Sequence, residues 1–281
     1  MNGSCVALLV CVLLLGMPEG AGAAEVQPTL TISAGEKQCT FPTRELLRHP
    51  QLETLTLRDI GAYRGQTRTF SAVAAATLLA CVELPRDARV EFIASDGYTA
   101  NLSATELLNT APDRAIAYLA VEDPAAPWPG TGGSPESPGP FALIWKDPHL
   151  SGIGREQWPY KFDQIVVKGQ LASAYPALVP EANAPEFERL QSGLTVFVEN
   201  CMACHQLNRI GPGVLGPDLN YPLSPTQYFK EGILRQYIRD PQSVRAHPRS
   251  AMGPFPASMI SAAHLDDLIL YLNYMAERQS K

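Results

Sequence analysis

The sequence predicts two domains, an α+β domain followed by a small all-α domain. Before residue 170 the chain shows strand-like alternation and turn residues, and after residue 185 apolar residues recur with the period of a helix. Residues 170–185, between them, are rich in Ala and Pro with little hydrophobic periodicity, which is typical of a semi-extended linker. The chain has 281 residues, of which 46% are hydrophobic and 18% charged, as expected of a globular protein.

Residues 1–23 have the pattern of a secretory signal. The uninterrupted apolar run from Val6 to Met17 is followed by small residues and an A-x-A site that ends at Ala23. No Lys or Arg precedes the run, so an uncleaved anchor is the alternative, and membrane association is expected only in that case. The pattern predicts export to the periplasm or another oxidising compartment. The mature chain would keep four cysteines: Cys39, Cys81, Cys201 and Cys204.

Residues 24–169 form the predicted α+β domain. The stretch "VEFIASDGYTANLS" alternates on both sides of Asp96-Gly97 and predicts a β-hairpin. The Ala- and Leu-rich stretch 70–82 predicts a helix, and further strands are expected at 55–60, 141–145 and 164–168. The Gly/Pro-rich loop 127–140 is either a flap or a disordered tip. Four aromatic residues either line a pocket near this loop or build core: Trp128, Trp145, Trp158 and Tyr160.

Residues 186–281 form the predicted all-α domain, with three helices. The first covers 187–201, and the second covers 227–240 and is stopped by Pro241. Ser261 is the expected N-cap of the third helix. That helix carries an apolar stripe of Leu265, Leu268, Ile269, Leu272 and Met275.

The first of these helices ends at "ENCMACHQLN", residues 199–208, which contains the pattern Cys-x-x-Cys-His. Two thiols at this spacing can add to the two vinyl groups of a porphyrin while the adjacent imidazole reaches the iron. A redox dithiol is expected near a βαβ pattern, and a zinc site needs further Cys or His ligands nearby. Neither context is found, so Cys201 and Cys204 are predicted to attach one haem c covalently, with His205 as an iron ligand.

Further motifs in residues 186–278 resemble the class I cytochrome c family. Gly193 and Phe197 precede Cys201 as in the family's "G-x-x-x-F-x-x-x-C" helix, "GPDLN" at 216–220 is similar to its "G-P-x-L" stretch, and "LILYLNYM" is similar to its last helix. The resemblance implies that the carbonyl of Pro217 accepts the Nδ1 hydrogen of His205, which leaves Nε2 free for iron. Pro212 is the alternative acceptor.

The second axial ligand is predicted to be the sulfur of Met252. This residue begins "MGPFP", which is similar to the "M-P-x-F" loop that holds the ligand methionine in the family, and a thioether favours ferrous iron. Met259 is the alternative. Met275 lies inside the helical stripe and is expected to pack. His247 and His264 would give a bis-histidine haem, but both are expected to face solvent.

The charges of the chain bear on its partners. The formal net charge is −6 and neither domain has an excess of Lys and Arg, so no nucleic-acid partner is expected. Redox partner proteins are expected instead, although the sequence identifies neither donor nor acceptor. Arg245, His247 and Arg249 either steer an acidic partner to the haem edge or form an ordinary solvated loop.

Residues 28–169 weakly resemble the molybdopterin-binding domain of the sulfite-oxidase family. The resemblance is carried in order by "YRGQTRTFSAVAAATLLA", "FIASDGY", "AYLAVED", "GPFALIW" and "QIVVKG". Enzymatic members hold molybdenum through a cysteine thiolate in a "C-x-G-N-x-R"-like setting, and neither Cys39 nor Cys81 has that setting. We therefore expect no molybdopterin in this chain. Whether these two cysteines form a disulfide is left open.

The sequence is compatible with three functions. The leading one is an exported monohaem electron carrier whose N-terminal domain docks a partner or positions the haem. The alternative is an oxidoreductase, in which the chain is a haem-containing subunit or fusion of a molybdopterin-type, sulfite-oxidase-like dehydrogenase. The third is a haem-based ligand sensor in which the sixth ligand is weak or absent.

Overall fold

A computed structural model describes residues 27–132, 134–230, 232–246 and 252–279 of the chain. The predicted signal segment 1–23, His247 and Arg249 lie outside the described residues. The strands are β1 (Thr29–Ala34), β2 (Lys37–Pro42), β3 (Glu53–Ile60), β4 (Tyr63–Ala74), β5 (Ala88–Ala94), β6 (Thr99–Ser103), β7 (Ile116–Val121), β8 (Phe141–Lys146) and β9 (Phe162–Gln170). The helices are α1 (Thr43–Leu46), α2 (Ala75–Leu79), α3 (Ala104–Leu107), α4 (Leu171–Ala174), α5 (Phe187–Asn200), α6 (Pro225–Tyr228), α7 (Ile233–Arg239), α8 (Pro241–Val244) and α9 (Ala262–Ala276).

The N-terminal domain contains two sheets. The first has the order β2-β1-β9-β5-β6, and the second has the order β3-β4-β7-β8. All neighbouring strands are antiparallel except β1 and β9, which run parallel. The predicted hairpin is confirmed as β5 and β6, and the three other predicted strands lie within β3, β8 and β9. Side chains of both sheets share one core, which includes Ile32, Phe92, Leu119, Trp145 and Phe162.

The predicted helix over residues 70–82 is wrong in its first part. Residues 70–74 belong to β4, and the helix α2 covers Ala75–Leu79 alone. Ser71 to Ala74 pair with Val121 to Tyr118 of β7. Pairing within the sheet overrides the helix propensity of the alanines, because propensity is a weak preference that tertiary contacts exceed.

The segment after β9 differs from the predicted semi-extended linker. Residues 171–174 form the helix α4, and Pro176–Leu178 form a 3₁₀ turn. Tyr175 and Leu178 are buried among the C-terminal helices, and the carbonyl of Leu178 accepts a hydrogen bond of 2.7 Å from Tyr271. The hydroxyl of Tyr175 donates to Glu91 of β5. The segment folds back because it buries two large side chains, and it thereby contacts both domains.

The C-terminal domain is built on the contact of α5 with α9. A Cβ atom at Gly193 of α5 would lie 2.2 Å from the carbonyl oxygen of Asp267 and 2.6 Å from Cβ of Tyr271, so glycine permits the close approach of the two helices. Phe197 packs against Tyr271 with 6.3 Å between ring centroids. The predicted N-cap is confirmed, because the Ser261 hydroxyl accepts from the backbone N–H of His264 at 3.1 Å.

The predicted helix over residues 227–240 is interrupted. It divides into α6, which ends at Tyr228, and α7, which begins at Ile233 after Gly232 in the left-handed region at φ 80°. Phe229, between the two helices, lines a cavity. The predicted end before Pro241 is confirmed. Among the described residues, no helix combines the length and apolar character that crossing a membrane requires.

Candidate functional site

The cysteine motif forms a tight turn at the end of α5. The carbonyl of Cys201 accepts from the backbone N–H groups of Cys204 at 3.1 Å and of His205 at 2.9 Å. All three side chains line one cavity of about 580 Å³. We call it the main cavity. Its apolar lining comes mainly from the C-terminal domain and includes Leu219, Phe229, Leu234, Ile238, Phe255, Leu268 and Leu272.

The imidazole of His205 is oriented by the loop that follows the motif. Its Nδ1 lies 2.7 Å from the carbonyl oxygen of Pro217, rather than of Pro212, so Nδ1 is the donor and Nε2 is left as the acceptor. A Cβ atom at Gly216 would lie 2.3 Å from the ring, so only glycine allows this approach. Burial lowers the pKa of His205, against the opposing effect of the Pro217 carbonyl. The neutral ring that results is the form that ligates a metal ion.

The two thiols of the motif are protonated at neutral pH. Burial, followed by the nearby charge of Glu156, raises the pKa of Cys201 to about 12 and that of Cys204 to about 11. Reactive dithiols have lowered pKa values, because the thiolate is the attacking species. The electrostatics therefore disagree with a redox dithiol at Cys201 and Cys204.

Met252 and Met259 occupy different environments. Met252 lines the main cavity together with the cysteine motif. Met259 packs against the N-terminal domain, since a Cβ atom at Gly154 would lie 2.8 Å from its methyl group. Met275 is buried in the helix core, as expected, and the side chain of His264 is exposed. Arg245 is exposed as well, but its two partners in the predicted basic patch are outside the described residues.

The N-terminal domain supplies part of the wall of the main cavity. Its residues there come from the segment before β4, from the β5–β6 turn and from the segment before β9: Gly61, Ala62, Asp96, Tyr98, Arg155, Glu156, Trp158 and Tyr160. Of the four aromatic residues proposed for a pocket, Trp158 and Tyr160 line this cavity and Trp128 lines a smaller one beside it. Trp145 is fully buried core. No sequence signal marked Tyr98, Arg155 or Glu156 as site residues.

Three of these residues form a polar cluster on the cavity wall. Nε of Arg155 lies 2.9 Å from Oε1 of Glu156, whose side chain is 13% exposed. The hydroxyl of Tyr98 is 3.0 Å from Oε2 and 3.0 Å from the backbone oxygen of Glu156. Burial, with the adjacent Glu156, raises the pKa of Tyr98. Glu156 also raises the pKa of each thiol and opposes the lowering of the His205 pKa, so its charge acts on the whole motif.

A second polar cluster joins the two domains. Arg89 of β5 lies 3.2 Å from Glu199 of α5 and donates to the side chain of Asn101 at 2.8 Å. Glu106 accepts a hydrogen bond of 3.1 Å from Gln157. Burial, followed by the charge of Glu199, raises the pKa of Glu106 to about 7.

The open question on the N-terminal cysteines is answered by the structure. Cys39 and Cys81 are paired in a disulfide with 6.4 Å between their Cα atoms. Within the described ranges, the free thiols are those of Cys201 and Cys204. The N-terminal domain thus presents no free thiolate there to a metal.

Comparison with known proteins identifies the C-terminal domain. Residues 190–276 match the family model "Cytochrome c", so this part of the chain is a cytochrome c domain, which supports a role in haem electron transfer. The sulfane dehydrogenase SoxCD from Paracoccus pantotrophus is a similar solved structure, with 18% identity and a TM-score of 0.34. That match covers 52% of this chain and 40% of the other. No curated protein matches the chain.

The residues around the main cavity fit a haem. Two neighbouring thiols, an imidazole with Nε2 unengaged by Pro217, and a thioether line a space whose volume of about 580 Å³ suits an organic cofactor. The surrounding side chains are largely apolar, which is what a porphyrin face requires.

Proposed function

We propose that this protein is an exported c-type cytochrome that carries one haem and transfers single electrons between redox partners. The haem would be attached through Cys201 and Cys204, with His205 and Met252 as the axial ligands. The observation that supports this assignment is the presence of all four side chains on one largely apolar cavity. The bound haem supplies an iron that takes one electron from a reduced donor and passes it to an oxidised acceptor, with no bond made or broken.

The chain itself would hold the iron ligands and limit their movement. Pro217 accepts the Nδ1 hydrogen of His205 at 2.7 Å, which fixes the ring plane and the tautomer. Pro254 and Pro256 stiffen the loop of Met252, and the buried Phe255 between them anchors it. The apolar wall excludes water, so few groups need to reorganise when the charge of the site changes.

The N-terminal domain would be an accessory domain that helps position the haem. Its residues complete the wall of the main cavity, and it contacts α5 directly through the Arg89–Glu199 ion pair. A role in docking a partner is compatible with this position, because partially exposed Tyr160 lies at the cavity wall.

The carrier is favoured over a molybdopterin-type dehydrogenase by the state of the cysteines. Molybdenum enzymes of the sulfite-oxidase type hold the metal through a cysteine thiolate, and Cys39 and Cys81 are joined to each other. Metal analysis of the exported protein separates the two functions. Iron near one per chain without molybdenum is expected, whereas stoichiometric molybdenum would contradict the carrier.

The axial ligand is tested by a matched pair of methionine variants. We expect the oxidised wild type to show a thioether-to-iron absorption band, Met252→Ala to lose it, and Met259→Ala to retain it. If Met259→Ala alone loses the band, the ligand is Met259 rather than Met252. Absence of the band from the wild type, with ready binding of an external ligand, would favour the sensor.

Export is tested on the same material. N-terminal sequencing of the secreted protein is expected to begin at Ala24. A membrane-bound chain that retains residues 1–23 would show that the segment is an anchor.

A further inference from the structure

The wall of the main cavity contributed by the N-terminal domain contains an ion pair. Arg155 and Glu156 are 29% and 13% exposed, and their side chains lie 2.9 Å apart at Nε and Oε1. Both line the same cavity as the cysteine motif and Met252. Charges on the wall of a largely apolar cavity act in a medium of lower effective dielectric constant than water.

The two members of the pair face different parts of the cavity. The guanidinium of Arg155 crosses to the other domain and covers Gly253, where a Cβ atom would lie 1.3 Å from Nη1. Gly253 directly follows Met252, so the cation lies beside the methionine loop. Glu156 lines the cavity together with Cys201, Cys204 and His205, so the anion lies on the same cavity wall as the motif.

The position of Glu156 is fixed by a third residue. Tyr98, from the β5–β6 turn, donates its hydroxyl to Glu156 and lines the cavity itself. Gly154 precedes Arg155 in the chain. A Cβ atom at Gly154 would lie 2.8 Å from the methyl group of Met259 and 3.6 Å from Oδ1 of Asn200, the last residue of α5. The segment 154–156 is thus held between the cysteine motif and the methionine loop.

We infer that Arg155 and Glu156 set the reduction potential of the haem, and that the N-terminal domain thereby regulates the electron transfer of its neighbour. This inference rests on the proposed function. A negative charge near the iron stabilises the ferric state and lowers the potential, and a positive charge does the reverse. Because both charges are supplied by the N-terminal domain, the balance between them is a property that the cytochrome c domain lacks by itself.

The test uses the full-length holoprotein and spectroelectrochemical titration. We expect Glu156→Gln to raise the midpoint potential and Arg155→Gln to lower it. Each change would correspond to roughly a threefold to tenfold change in the equilibrium constant for electron exchange with a reference couple. The double variant is expected to return close to the wild type. Glutamine at position 156 can still accept from Tyr98, which limits structural change.

The exposed pair of Glu186 and Arg189 provides the matched control. It lies at the start of α5, roughly 20 Å from Cys201 by the rise of the helix. Glu186→Gln and Arg189→Gln make the same charge changes and are expected to leave the potential unaltered.

The signs of the shifts decide the outcome. In variants that keep their full haem content, two outcomes would overturn the inference. One is a shift of the same sign in Glu156→Gln and Arg155→Gln, and the other is a shift no larger than that of the control pair. A purified chain without covalent haem would overturn both the inference and the proposed function. If either single variant misfolds, the conservative Glu156→Asp and Arg155→Lys are expected to keep the wild-type potential more closely than any charge-removing change.

Discussion

Arg89 of β5 and Glu199 of α5 form an ion pair of 3.2 Å that joins the two domains two residues before Cys201. The Arg89 side chain is 8% exposed and also donates to the side chain and the backbone oxygen of Asn101. The end of the helix that presents the cysteine motif is thus attached to the first sheet of the other domain.

Removal of Arg89 should weaken the fold. Arg89→Met leaves the carboxylate of Glu199 unpaired. It also removes the two hydrogen bonds that Arg89 donates to Oδ1 and to the backbone oxygen of the buried Asn101. We expect the free energy of unfolding to fall by about 2 to 4 kcal/mol. Denaturation by urea measures it. Arg235→Met, which breaks the exposed pair with Asp266, should cost less than about 1 kcal/mol. Equal costs for both variants would contradict the interdomain role.

The partly buried carboxyl of Glu106 should make stability depend on pH. Its pKa is raised to about 7 from 4.5. The folded protein therefore binds the proton more tightly than the unfolded chain does, and this contribution to the free energy of unfolding is fully present below pH 4.5. It is lost as the pH rises through 7. We expect Glu106→Gln to be more stable than the wild type by about 2 to 3 kcal/mol at pH 8, with little difference at pH 4.5.

Urea denaturation at several pH values between 4.5 and 8 measures this dependence. Glu188→Gln, an exposed change on α5, is the control and should follow the wild type throughout. A difference between Glu106→Gln and the wild type that does not vary with pH would rule out titration of Glu106 as its cause.

Gly193 should not tolerate a methyl group. Alanine usually stabilises a helix relative to glycine by up to about 1 kcal/mol, but here the added Cβ would lie 2.2 Å from the Asp267 carbonyl oxygen of α9. We expect Gly193→Ala to destabilise the protein by about 1 to 3 kcal/mol, measured by thermal denaturation. Thr195→Ala, on the exposed side of α5, should change stability by less than about 0.5 kcal/mol.

The disulfide should stabilise the N-terminal domain without affecting the haem. Cys39 and Cys81 are 42 residues apart. A cross-link that closes a loop of that length lowers the conformational entropy of the unfolded chain, which raises the free energy of unfolding by about 4 kcal/mol. The double variant Cys39→Ser/Cys81→Ser should lose about that much stability and keep the wild-type haem spectrum. A changed spectrum would instead connect this disulfide to the haem site.

Much of the C-terminal domain was predictable because its signals are local. The helical period ending at Cys201, the N-cap Ser261 and the stop before Pro241 depend on neighbours in the sequence, and each was found as predicted. The exception there is the helix over 227–240, which is interrupted at the cavity wall. In the N-terminal domain, residues 70–74 belong to β4 rather than to the predicted helix, because they pair with β7.

The sequence by itself determined the cysteine motif and the histidine beside it, because haem attachment needs fixed residue types at a fixed short spacing. It also predicted Met252 as the second ligand, with Met259 as the alternative. Tertiary structure alone decided that Met252 rather than Met259 lines the cavity, and that Arg155, Glu156 and Tyr98 complete its wall. These three residues precede Cys201 by more than forty positions. A motif of short spacing can be recognised from neighbouring residues in the sequence. Contacts between domains depend on how two folded surfaces pack, so the residues that make them carry no local signal.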